Sequence, residues 1–132
     1  AILRDTFVAE SEADARKIAG DCLMSAFNFA NWRGPGVYLN PGEKLDPELE
    51  ASLNDELTFD FVNERSLLFG SPNQVIAKLM ELWEETNIEQ VAFKCSWPGF
   101  AHEHVVRSVK LLTEEVIPEV NRRIQSRANA AE

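Results

Sequence analysis

Positive charge is scarce in this chain of 132 residues: 13 Lys and Arg stand against 22 Asp and Glu, a formal net charge of -9. So acidic a balance argues against nucleic acid or anionic membrane as the principal partner, because both repel it. Cysteine is nearly absent. Cys22 and Cys95 are isolated and lack CxxC spacing, so no disulfide framework is expected and a cytoplasmic, reducing setting is. No apolar run approaches the roughly 20 residues of a membrane-spanning helix, and the opening residues do not read as a signal peptide. There is no GxGxxG and no Walker loop, which excludes nucleotide binding by those two routes. His102-Glu103-His104 is not a metal motif: histidines two apart do not share a helical face, and no third ligand or HExxH accompanies them.

Glycine and proline number six each, and three of each fall within residues 32–47, WRGPGVYLNPGEKLDP. That stretch reads as a loop with turns at Gly34-Pro35-Gly36 and Pro41-Gly42. What surrounds it is ordinary globular sequence, 45% hydrophobic, without repeats. Ile2 to Ala9 is rich in aliphatic and β-branched residues and predicts a strand. Ser11 then caps a helix with Glu12 and Asp14 in its first turn, ending near Asn31. Asp46-Pro47 opens a short helix through Leu53, and a second is expected over 59–66, leading through Leu67, Leu68 and Phe69 into Gly70.

Gly70-Ser71-Pro72 supplies a cap and a pre-set first helical residue. Val75, Ile76, Leu79, Leu82 and Trp83 follow at helical spacing, and Asn87 is a plausible stop. Val91-Ala92-Phe93 is a short buried strand, after which Val105, Val109, Leu112 and Val116 form one helical stripe. The organisation is thus a strand plus helix (1–31), an insertion resembling a lid (32–69), a helix-strand-helix unit (70–126) and a frayed tail (127–132). Two parallel strands and four to six helices leave open edges, too little sheet for a complete α/β domain. They suit the C-terminal fragment of a TIM (β/α)8 barrel. The start on a strand without Met accords with a piece of something longer.

The motifs GSPNQVIAKL, NIEQVAFKCSWPG and RSVKLLTEEVIPEV, together with LRDTFVAESEADARKIA near the start, resemble the C-terminal end of the bacterial-luciferase-like flavin monooxygenases. The resemblance covers roughly residues 3–30 and 69–120 and rests on the order and spacing of the motifs. It implies the seventh and eighth strands of a barrel that holds FMN at the strands' C-terminal ends. The reduced flavin is usually supplied by a separate reductase, and its peroxide oxygenates a small organic molecule. Some relatives use F420 instead. The first six strands and most flavin-phosphate contacts would lie outside this chain, so no bound cofactor and no activity are expected of it alone. Open edges predict a homo-oligomer.

In a barrel, residues just past a strand's end face the active site. Here these include Lys94, to neutralise a flavin or substrate anion, and Trp97, as an aromatic wall. A solvated Lys94 and a packed Trp97-Pro98-Gly99 turn are the plainer alternative. In the lid, Trp32 and Arg33 are the substrate-binding candidates; alternatively they close a helix end. Cys95 reads as a small buried thiol and Ser71 as an N-cap, ahead of a phosphate site. The rival function is a non-catalytic helical module that binds a protein partner through Trp83, Trp97 and Phe100.

Overall fold

The computed structural model describes residues 1–131 and, for their side chains, residues 1–130. Strand β1 (Ile2–Val8) leads into helix α1 (Glu12–Phe29), and two 3-10 turns (Asn31–Arg33 and Pro35–Tyr38) follow. Helices α2 (Pro47–Asp55) and α3 (Phe59–Arg65), both expected, precede strand β2 (Leu68–Gly70). Helix α4 (Pro72–Thr86), strand β3 (Val91–Lys94), helix α5 (His102–Leu111) and helix α6 (Ile117–Ala131) complete the chain.

Local chemistry sets these boundaries. Ser11 Oγ accepts the Asp14 N–H at 3.0 Å, and Asp46 accepts from Glu48 and Leu49, so α1 and α2 begin on side-chain caps. Helix α4 starts on a capping box: the Ser71 N–H donates to Gln74 Oε1 at 2.9 Å, and Ser71 Oγ accepts the Gln74 N–H at 3.4 Å. Gly70 just before it has φ +147°, and a Cβ there would stand 2.9 Å from Gln74, so glycine is required. Helix α4 ends at Asn87, in the left-handed region with φ 49°. Between α5 and α6 the chain stays helical through a π-helical turn, Leu112–Val116, where the Ile117 N–H reaches back to Leu112. The wider turn just precedes Pro118, which lacks the N–H an ordinary helix would use. Helix α6 takes in residues 127–131 of the alanine-rich tail (127–132), whose last residue, Glu132, lies outside the described residues.

The sheet is parallel, in the order β2-β1-β3. Ile2 to Asp5 pair with Val91 to Lys94, and Thr6 to Val8 pair with Leu68 to Gly70. The parallel pairing of the first strand with the strand at 91 is as the sequence predicts. The count of two strands is corrected to three. Leu68-Phe69-Gly70 is only three residues long, too short to show a strand period. It pairs because β1 offers it an edge. The described residues form an open sheet, not a closed barrel.

Alternation along β1 sends Phe7 to one face and Val8 to the other, so each face has its own core. Phe7 and Phe69 pack with Ala15, Ala19 and Leu23 of α1 and with Leu53 and Val62 of α2 and α3. Val8 and Leu68 pack with Val75, Ile76 and Leu79 of α4 and with Leu112 and Val116. The result is three layers, helix on sheet on helix.

Candidate functional site

Because β3 pairs with β1 only as far as Asp5, the C-terminal end of β1 must satisfy its polar groups elsewhere. The Val8 N–H donates to Ser108 Oγ of α5 at 2.8 Å, inside the protein. This bond ties α5 across the end of β1. Between α5 and α1 it leaves a cleft of about 560 Å³ at the strand's C-terminal end. Phe7, Val8, Ile18 and Leu111 contribute apolar surface, and Arg107 and Lys110 of α5 line the cleft together with Glu10, Asp14, Glu114 and Glu115. The cleft therefore joins an apolar wall to a charged rim, the usual make-up of a site for a small organic molecule. No sequence motif marks it, since its residues come from segments nearly a hundred positions apart.

The candidates drawn from the sequence fall elsewhere, in two separate groups. Lys94 and Trp97 meet at Asp5, a β1 residue that sequence reading missed. The Trp97 indole N–H donates to Asp5 Oδ1 at 2.7 Å, and Lys94 Nζ lies 3.4 Å from the same oxygen. Trp97 is 3% exposed and packs among Phe69 and Phe100, with ring centroids 5.7 and 5.5 Å away. It is core here and does not line the cleft. That corrects its place in the rival reading: Trp97 presents no interaction surface, because its indole is buried and bonded. Trp83 and Phe100 are half-buried. Lys94, by contrast, keeps 45% of its side chain exposed.

Asp5 also acts at longer range. Burial first, and then the Asp5 charge, push the Tyr38 hydroxyl and the Cys95 thiol above their ordinary pKa values. A thiol held protonated is a poor nucleophile, in line with Cys95 as a packing residue. At pH 8 the Cys95 thiol is expected to alkylate with iodoacetamide more slowly than free cysteine, read by peptide mass mapping. Alkylation at the free-cysteine rate would refute that assignment.

Trp32 and Arg33 lie together in the first 3-10 turn, the guanidinium 4.8 Å from the ring centroid. Trp32 is 80% exposed. Neither lines the cleft at the end of β1. Ser71 is engaged in its capping box, as an N-cap should be. A second cleft, about 430 Å³, runs beside β2 and contains Arg4 and Lys78. Lys78 donates to Asn63 Oδ1 and to the Phe69 carbonyl, both at 3.0 Å, and burial lowers its pKa. It serves the β2 edge, where the Phe69 carbonyl needs a donor. Among the described residues no group of three His, Cys, Asp or Glu is placed to hold a metal ion. No described helix is long and apolar enough to cross a membrane.

A flavin phosphate does not fit the residues of this cleft. Arg107 and Lys110 are its two permanent cations, and four carboxylates line it with them. At the α1 start beside it, Ser11 Oγ already takes the Asp14 N–H. At this cleft the chain offers apolar surface with an excess of carboxylates.

No family model matches the sequence, and no curated protein matches it. The structure is similar to the oxygenating constituent of 3,6-diketocamphane monooxygenase from the CAM plasmid of Pseudomonas putida, described as a type II Baeyer-Villiger monooxygenase in complex with FMN. The TM-score is 0.60 at 19% sequence identity, over 88% of this chain and 32% of that one. At that identity the likeness is one of fold, and this chain spans about a third of the other protein's length.

Proposed function

We propose that this chain is the C-terminal part of a luciferase-like flavin-dependent monooxygenase that oxidises a small organic substrate. The observation that carries the reading is the parallel pairing of β1 with β3, with α4 packed on the sheet, in an arrangement that matches an FMN-bound monooxygenase over 88% of this chain. In this reading β1 and β3 are the last two strands of a (β/α)8 barrel. The cleft at the end of β1 then lies where barrel enzymes place their substrates. FMN, or F420 in the hydride-transferring variant, is the proposed cofactor of the parent protein, and a flavin reductase its partner. Segments beyond this chain supply the phosphate contacts, and the isolated chain is inactive. Lys94 is proposed to meet a flavin or substrate anion from the end of β3, backed by Trp97. Trp32 and Arg33 belong to a lid over the substrate. The two unpaired thiols support a cytoplasmic setting.

The test compares FMN binding by the product of the complete reading frame with binding by the 132-residue chain, followed by flavin fluorescence. Stoichiometric binding by the longer protein and none by this chain is expected. Failure of the longer protein to bind either FMN or F420 would overturn the proposal.

A further inference from the structure

Val91 and Phe93 pack on the α4 side of the sheet, so their neighbours Ala92 and Lys94 point to the opposite face. Leu3 and Asp5 are in register with those two and share that face. In a (β/α)8 barrel the crossover helices lie outside, and the face turned away from them looks into the barrel. The other strands then enclose this face instead of covering it. Lys94 is the last residue of β3, which puts the Asp5–Lys94 pair at the strand end where such barrels carry their chemistry. One layer below, Leu3 and Ala92 form an exposed apolar shelf. Asp5 is only partly engaged. Its Oδ1 accepts the Trp97 indole N–H and stands 3.4 Å from Lys94 Nζ. Among the described residues no hydrogen bond engages Oδ2, and that oxygen is not buried. Because Trp97 is itself buried, its bond holds the carboxylate in one orientation and leaves Oδ2 a fixed acceptor. The Lys94 ammonium has three N–H donors, and Asp5 takes one at most.

An acceptor and a donor thus stand side by side, and their charges cancel. A phosphate offers acceptors only and would meet the Asp5 carboxylate as a like charge. A neutral edge with an N–H next to a C=O satisfies both groups at once, and a flat ring bearing it can rest on the apolar shelf. The pyrimidine ring of a flavin ends in such an edge, an N–H between two carbonyls, in FMN and F420 alike. The donor set therefore fits the ring of the cofactor, whereas the cleft beyond Val8 does not fit its phosphate. We infer that Asp5 is a cofactor-binding residue of the parent enzyme, its Oδ2 accepting the N3–H of the flavin ring while Lys94 donates to the carbonyl beside it. This rests on the flavin reading and deepens it, naming the part of the cofactor that this chain holds. Trp97 does not touch the ring; it positions Asp5.

The test uses the product of the complete reading frame and two probes, FMN and 3-methyl-FMN, in which a methyl group replaces the N3 hydrogen. In fluorescence titrations the wild type should bind 3-methyl-FMN about tenfold or more weakly than FMN. In Asp5→Asn the amide carbonyl stays on Trp97, so an NH2 takes the place of Oδ2 and meets the ring N–H donor to donor. That variant should bind FMN about tenfold or more weakly than the wild type and lose the preference for FMN over its methyl derivative. A merely structural role for Asp5 would lower both affinities and leave their ratio unchanged. Where the protein holds F420 instead, F420 and its 3-methyl derivative replace the two probes, because the edge is the same. Equal binding of both probes by the wild type would overturn the inference. So would an Asp5→Asn variant that keeps the wild-type ratio. Either result leaves the flavin reading standing, whereas binding of neither FMN nor F420 would overturn that reading and this inference with it.

Discussion

Phe69→Ala should destabilise the fold by about 3–5 kcal/mol, the range for emptying a fully buried phenylalanine site. Phe69 is 0% exposed and sits where Phe7, Phe59 and Trp97 converge, with ring centroids 5.9, 5.7 and 5.7 Å away. Each of those contacts joins a different element to β2, so one truncation loosens β1, α3 and the turn after β3 together. Tilted and edge-on aromatic pairs add to the area term. Domains of this size are commonly stable by only about 5–15 kcal/mol, so the variant should unfold at a much lower urea concentration. The check is the urea midpoint by tryptophan fluorescence, with Phe69→Leu as a volume-sparing control expected to lose far less. A midpoint for Phe69→Ala within error of the wild type would mean that the core is not organised around β2.

The second large effect is expected at Asp5, and there two variants separate two causes. Asp5→Leu removes the acceptor from a buried indole N–H, which should cost about 1–3 kcal/mol for the donor left unpaired. Asp5→Asn keeps a carbonyl oxygen for Trp97 and removes only the ion pair with Lys94. That pair is half-exposed on the lysine side and is worth no more than about 1 kcal/mol. The asparagine variant should therefore retain most of the stability and also the downfield indole N–H resonance of Trp97 in a proton NMR spectrum. The leucine variant should lose both. Equal damage from the two substitutions would show that the charge, not the acceptor, is what the site needs.

The contrast between Asp5 and Lys94 shows what can be read from the sequence here. Lys94 and Trp97 stand out because they follow an obvious short strand, and strand ends are where chemistry gathers. Asp5 does not stand out: a single carboxylate in an apolar strand is indistinguishable from a surface residue until the strand has neighbours. Its partners lie at positions 94 and 97, and only the parallel register of β1 and β3 brings them to it. Ser108 was hidden for the same reason. Its role depends on where β3 stops, which leaves the Val8 N–H to be met by a hydroxyl a hundred residues away. Trp97 was legible both as an aromatic wall and as part of a packed turn; the structure buries it, because what packs over the turn decides between the two.

The elements themselves were set by local chemistry and were legible. Ser11, Asp46 and Ser71 start helices because their oxygens bond nearby amides, and Asn87 and Gly70 adopt conformations that few other residues tolerate. Apolar spacing chose the face of α4, whereas α5 buries Ser108 and not the stripe of Val105 and Val109. These effects act over a few residues, so the sequence alone determines them. Tertiary structure alone decided that Leu68-Phe69-Gly70 is a strand, that the sheet runs β2-β1-β3, and that a cleft opens beyond Val8. Each depends on which main-chain groups are left without a partner after the longer strands have paired. That is a property of the assembled sheet and of no single segment.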